Sequence, residues 1–157
     1  MDLQNAPHTE EYEEELKTAL VCESNPESQK NIASIIQELK YSVELSANQG
    51  DTLEKLRFNR YDVIVLNEKF DANSPEENNV YNILKFMPMS TRRHIFLALI
   101  GQNFQTGDHG AAFAESVNLV VNEKDLPNLK TVLKKSIADN DQFYKVYKES
   151  LIKMGKR

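Results

Sequence analysis

The sequence predicts an α/β domain: a doubly wound, five-stranded parallel sheet with an extra helix at its C-terminal end. Three observations carry this. Short apolar runs rich in β-branched residues recur along the chain, stretches with apolar residues at helical spacing lie between them, and the connections are short. The 157 residues suit one domain with one core.

The first run, Thr18-Ala19-Leu20-Val21-Cys22, ends in Glu23-Ser24-Asn25-Pro26, which reads as a buried strand followed by a helix start. From Pro26 to Lys40, Ile32, Ile35, Ile36 and Leu39 share one helical face. Tyr41, Val43 and Leu45 alternate with polar residues, as in a half-buried second strand. Gly50 and Asp51 open a short helix with Leu53, Leu56 and Phe58. Val63-Ile64-Val65-Leu66 is the clearest strand, continuous and β-branched, as expected of a strand buried on both faces. Ser74-Pro75-Glu76-Glu77 predicts a helix start, with Ser74 capping and Glu77 closing a capping box. Val80, Ile83, Leu84 and Met87 form its stripe, and Pro88 ends it. Ile95–Ile100 predicts the fourth strand, and Gly101 begins a loop. Asp108 caps a short helix holding Ala112 and Phe113. Leu119-Val120-Val121 predicts the fifth strand, and Leu126, Leu129, Val132, Leu133 and Ile137 the helix after it. Right-handed crossovers leave few topologies, and the flavodoxin-like order 2-1-3-4-5 is expected for five such units.

Asp139-Asn140-Asp141 is expected to break that last helix or to cap a new one. Phe143, Tyr147, Leu151 and Met154 then recur at helical spacing, and the stripe must be buried against its own domain or a second chain. The expected organisation is a polar extension over 1–17, whose acidic run Glu10–Glu15 reads as the charged face of a short helix, a core domain over 18–138, and an amphipathic helix over 139–157.

Bulk properties restrict the function. The net charge is -5, with 40% hydrophobic and 27% charged residues, which describes a globular chain and disfavours nucleic acid as a direct partner. No stretch approaches a membrane span, and the acidic start is not a secretory signal. A single cysteine, Cys22, fits a reducing, cytoplasmic setting and reads as inert packing. The histidines His8, His94 and His109 show no metal-ligand spacing. None of the five glycines forms a phosphate-cradling loop after a strand, and no nucleophile–base pair is evident. No cofactor, no metal and no enzymatic activity are expected. Arg92, Arg93 and His94 form a basic cluster that reads as a solvated loop or a dock for an acidic partner.

In such a fold any site lies at the carboxyl ends of the strands, where Glu23, Ser24, Asn67, Ile100 or Gly101, and Asn122 fall. The run Ala19-Leu20-Val21-Cys22-Glu23-Ser24-Asn25-Pro26 resembles the first strand of a CheY-like response-regulator receiver domain, which ends in two acidic residues. Tyr61-Asp62-Val63-Ile64-Val65-Leu66-Asn67 resembles that family's third strand, whose last residue is the phospho-accepting aspartate. Ala112-Phe113 through Ser116-Val117-Asn118 resembles the approach to strand five, and the likeness covers roughly residues 18–138.

The resemblance implies a pocket in which an aspartate attacks a phosphoryl donor beside a divalent cation held by carboxylates. This chain departs from it at five places. Asn67 stands at the acceptor position, where an amide is no nucleophile; the acidic pair is reduced to Glu23 and Ser24; the hydroxyl position of strand four falls on Ile100; the lysine position of strand five falls on Asn122; and the aromatic switch position falls on Leu119. Taken alone, Glu23 also reads as a polar cap at a strand end, and Asn67 as a turn residue.

The implied function is that of a pseudo-receiver: a signalling module acting through protein–protein interaction or self-association, independent of aspartyl phosphorylation. The resemblance implies an interface on the face formed by the fourth and fifth helices with strand five, extended by the C-terminal helix, which selects Phe113, Leu119, Leu129, Phe143, Tyr147 and Leu151 as surface candidates for a protein partner or a homodimer. Two alternatives stand beside it. One is a flavodoxin-like ligand-binding or enzymatic domain. The other is a receiver phosphorylated elsewhere, for instance on Asp71, with Glu68 near the pocket or with Lys124 in the lysine role were strand five to run two residues later.

Overall fold

The computed structural model describes residues 17–154, so the acidic run Glu10–Glu15 and the basic residues Lys156 and Arg157 lie outside the described residues. Five parallel strands form one sheet: β1 (Lys17–Cys22), β2 (Tyr41–Ser46), β3 (Val63–Asn67), β4 (Phe96–Gly101) and β5 (Leu119–Asn122). Their spatial order is β2-β1-β3-β4-β5, the expected 2-1-3-4-5. The first half of the chain winds to one edge and the second half to the other, so the crevice opens between β1 and β3.

The connections carry helices α1 (Pro26–Glu38), α2 (Gln49–Phe58), α3 (Asn79–Lys85), α4 (Met89–Arg92), α5 (His109–Glu115) and α6 (Leu129–Lys153). Strand alternation sorts the core into two layers. On one face Leu20, Ile64, Leu66, Leu97 and Leu99 pack with Val80, Leu84 and Ala112 of α3 and α5. On the other Val21, Val65, Ala98 and Val121 meet Ile32 and Ile36 of α1 and Leu129 and Leu133 of α6. β3 and β4 are central and buried from end to end apart from Asn67, which explains their unbroken apolar sequence. β2 is an edge strand, and its Leu45 is 41% exposed.

Several expectations are corrected. Ser74 makes no side-chain cap, and residues 75–77 form only a 3-10 turn. Glu77 accepts from Asn73 N–H at 3.2 Å instead of closing a capping box. The helix starts one turn later, where Asn78 Oδ1 accepts from Tyr81 N–H at 3.1 Å. Asn78 wins because its amide is also needed elsewhere, donating to the carbonyls of Asn67 and Glu68, both at 3.1 Å. Tyr81 occupies the buried position of that stripe and Ile83 faces out. Gly101 completes β4 and does not begin a loop.

The 139–141 segment breaks nothing. α6 runs without interruption from Leu129 to Lys153, so the predicted C-terminal helix is the continuation of the helix after strand five, and the expected boundary at 138/139 falls inside it. Asp and Asn cost a helix interior only a few tenths of a kcal/mol each. Here Asp139 pairs with Lys135 one turn back at 2.9 Å, and Asn140 Oδ1 accepts from Asn118 Nδ2 at 3.4 Å.

Arg92 is the largest departure from the expected solvated cluster. It is buried, donating from Nη1 to Ile95 O at 2.7 Å and from Nη2 to Ser116 O and Asn118 Oδ1 at 3.1 Å. Burial holds its pKa below the usual guanidinium value. It clamps the entries to β4 and β5, and only Arg93 and His94 remain at the surface.

Candidate functional site at the carboxyl end of the sheet

Register brings the five expected residues to one end of the sheet. Asn67 is paired with Ile100, Gly101 with Asn122, and Glu23 follows Cys22, which is paired with Leu66. The side chains do not form one pocket. Ile100 is 1% exposed and packs into the core layer under α1 and α6, so it faces no ligand. Asn122 turns outward along the loop after β4, donating to Gln102 O at 3.2 Å and Phe104 O at 2.7 Å, while its Oδ1 accepts from Lys124 N–H at 2.9 Å. Strand five therefore ends at Asn122, and Lys124 lies beyond it, exposed in the following turn. Ser24 Oγ accepts from Asp71 N–H at 2.8 Å and serves the loop after β3.

The centre is Asn67. Its Nδ2 donates to Glu23 Oε1 at 3.0 Å and lies 3.5 Å from Glu123 Oε2. Its Oδ1 accepts from Lys69 N–H at 2.9 Å. Both ends of the amide are thus occupied. Glu23, only 7% exposed, accepts with its other oxygen from Asn25 N–H at 3.2 Å. A buried carboxylate needs such donors, and each charge-assisted bond is worth about 1.5–3 kcal/mol. An aspartate at 67 would offer Glu23 repulsion where the amide offers a hydrogen bond.

Of two further neighbours, Glu123 went unread in the sequence and Glu68 was read only as an alternative. Glu123, immediately after Asn122, sets a carboxylate beside the amide; the only available signal was an acidic residue next to the expected lysine position. Glu68 lies against Gly101, where a Cβ would overlap its carboxylate and come 2.7 Å from the Phe104 ring. Partial burial first, then Glu115 and Glu123, raise the Glu68 pKa, against a hydrogen bond from Gln102 N–H and the charge of Lys69. Asp71 stands in the left-handed region (φ 52°) with Oδ2 accepting from Gln49 N–H at 2.9 Å, a turn role. Cys22 is fully buried and its thiol is pushed up to about 12, so it is no nucleophile.

The mouth therefore holds carboxylates around a committed amide. Among the described residues no group of three or more His, Cys, Asp or Glu side chains is placed to hold a metal ion. Among those residues, too, no lysine or arginine side chain hydrogen-bonds to Asn67, Glu23 or Glu123. A phosphoryl anion entering here meets like charge.

The surface candidates separate into three places. Phe143, 65% exposed, lines a groove of about 570 Å³ between α5, β5 and α6, and Phe113, 88% exposed, follows the lining residue Ala112 on α5. Tyr147 and Leu151 belong to a different groove, at the opposite end of the sheet beside Lys17 and Tyr41. Leu119 and Leu129 are 4% and 0% exposed, so both are core residues, though Leu119 also reaches the lining of the first groove.

No protein-family model matches the chain, and no curated protein matches its sequence. Solved structures do match. A CheY-like receiver domain protein of Methanospirillum hungatei superposes with a TM-score of 0.61 at 12% identity, over 81% of this chain and 98% of that one. The chemotaxis response regulator CheY4 of Vibrio cholerae gives 0.60 at 16%, over 77% and 98%. An orphan response regulator of H. pylori gives 0.57 at 11%, over 76% and 95%. With this geometry and these neighbours, the chain has the fold of CheY-like response-regulator receiver domains.

Proposed function

We propose that this chain is a pseudo-receiver: a non-enzymatic cytoplasmic signalling module that acts by binding a protein partner or a second copy of itself, without aspartyl phosphorylation. One observation carries the reading. The side chain at the tip of the central strand is the Asn67 amide, and its donor and acceptor are both engaged, by Glu23 and by the Lys69 N–H. The pocket is closed on itself, so the output falls to the surface. The groove between α5 and α6, with Phe113 and Phe143 exposed beside it, is the surface offered.

Sedimentation velocity over a range of concentrations tests this. Association that weakens about tenfold on replacing Phe113 and Phe143 together by serine, and that is unchanged by acetyl phosphate with magnesium, is the expected outcome. A sedimentation profile that shifts only when the phosphoryl donor is present defeats the proposal.

A further inference from the structure

The end of the sheet opposite the mouth has its own character. Four of the five arginines, Arg57, Arg60, Arg92 and Arg93, fall in the two connections that enter β3 and β4. Apart from the buried Arg92, they are exposed. In a chain of net charge -5, this concentration of cations needs a reason.

A groove of about 390 Å³ lies between those two connections. Leu56, Met87 and Ile95 line its apolar part; Arg57, Arg60 and His94 line its polar part; and no carboxylate lines it. Phe58, which also lines it, is 71% exposed, and Phe86 and Met89, next in the chain to the lining residues Met87 and Ser90, are 79% and 69% exposed. None of these three is used by the core, and each costs solvation where it stands. The Arg57 guanidinium lies 5.3 Å from the centroid of the Phe58 ring, so the aromatic and the cation form one unit. The nearby Asp62 carboxylate is taken by Thr18 N–H at 2.9 Å and lines a different groove.

We propose that this groove docks a short acidic segment of a partner protein, with an aromatic or aliphatic side chain in the apolar part and carboxylates on Arg57 and Arg60. Charge complementarity selects the occupant: guanidinium forks match carboxylates, and the absence of acidic lining removes the repulsion an acidic segment meets elsewhere on this molecule. A phosphate polymer is disfavoured by the overall negative charge. The groove is separated from Asn67 by the length of β3, about 17 Å, so the inference stands independently of the pocket.

Short random peptides displayed on phage and selected on the full chain test it. Selected sequences should carry Asp or Glu around a Leu, Phe or Trp, and their synthetic versions should bind in a salt-sensitive manner. Arg57→Glu with Arg60→Glu should weaken them about tenfold or more, as should Phe58→Ser, while Phe143→Ser leaves them unchanged. These positions are exposed, so circular dichroism should show the fold intact. Peptides without acidic excess, or equal binding to the charge-reversed variant, overturn the proposal. So does displacement of the peptides by a single-stranded oligonucleotide that itself binds more tightly. Binding that appears only after residues 1–15 are deleted assigns the groove to the chain's own acidic run, and the separate partner falls.

Discussion

At the scale of single residues, one atom pair decides the chemistry. Where a receiver would present a carboxylate oxygen, Asn67 presents an N–H to Glu23. Asn67→Asp removes that donor and sets a third negative charge beside Glu23 and Glu123. The variant should lose about 2 kcal/mol of stability at neutral pH, and magnesium should raise its melting temperature while leaving the native protein's unchanged. A thermal melt of both chains with and without magnesium checks this. Glu68 gives a second prediction, with a sign. Its folded pKa is raised, so the folded chain holds a proton that the unfolded chain has released. Its contribution to stability therefore falls as pH rises from the ordinary carboxylate range through the raised value, and is level above it. Glu68→Gln should melt higher than the native protein at neutral pH, and the gap should close as the pH is lowered through that window.

The identity of residue 67 was legible in the sequence, because a five-residue strand ending in a polar residue leaves little freedom in its tip. Of its partners, Glu23 was read at the same end of the sheet, but Glu123 and Asn78 were not. Glu123 comes from two strands away and Asn78 from the connection after β3, and no local pattern marks a side chain that turns back to a strand's tip. Ile100 and Asn122 were placed at the right end of the right strands, but pleat direction and a loop's carbonyls turned them away.

At the scale of elements, the strands were readable because burial on both faces forces continuous β-branched runs. The helices were less so. Ser74 satisfied the local capping pattern, yet Asn78 took the role because the same amide also holds the Asn67 and Glu68 carbonyls. The 139–141 segment looked like a break, yet its polar side chains find an ion pair and an amide partner, and the helix continues. Arg92 shows the same override. Three adjacent basic residues read as a solvated loop, but one of them satisfies the carbonyls at the entries to two strands. Arg92→Ala takes a donor from the Ile95 carbonyl and one of two from Asn118 Oδ1, which keeps Leu97 N–H at 2.9 Å, and should cost about 2 kcal/mol, measured by urea denaturation, with no change in the sheet's circular dichroism below the transition.

At the scale of the whole molecule, the two ends of the sheet concentrate different groups. Carboxylates gather at the carboxyl end around Asn67, and guanidinium groups at the amino end around Phe58. At the first of these ends the Asn67 amide is engaged at both its donor and its acceptor, and the molecule's exposed apolar residues lie on its flank and at the opposite pole. No helix among the described residues is long and apolar enough to cross a membrane, so those apolar surfaces are not explained by a membrane span. Composition alone showed the net charge but not this grouping, because the arginines come together only when two connections distant in sequence meet at one end of the sheet.

Intact-mass spectrometry after incubation with acetyl phosphate and magnesium decides whether the pocket is closed. The native chain should keep its mass. A stable gain of one phosphoryl group, traced by peptide mapping to Asp71 or to any side chain at the mouth of the sheet, would show that phosphoryl transfer survives there and would contradict the reading of Asn67.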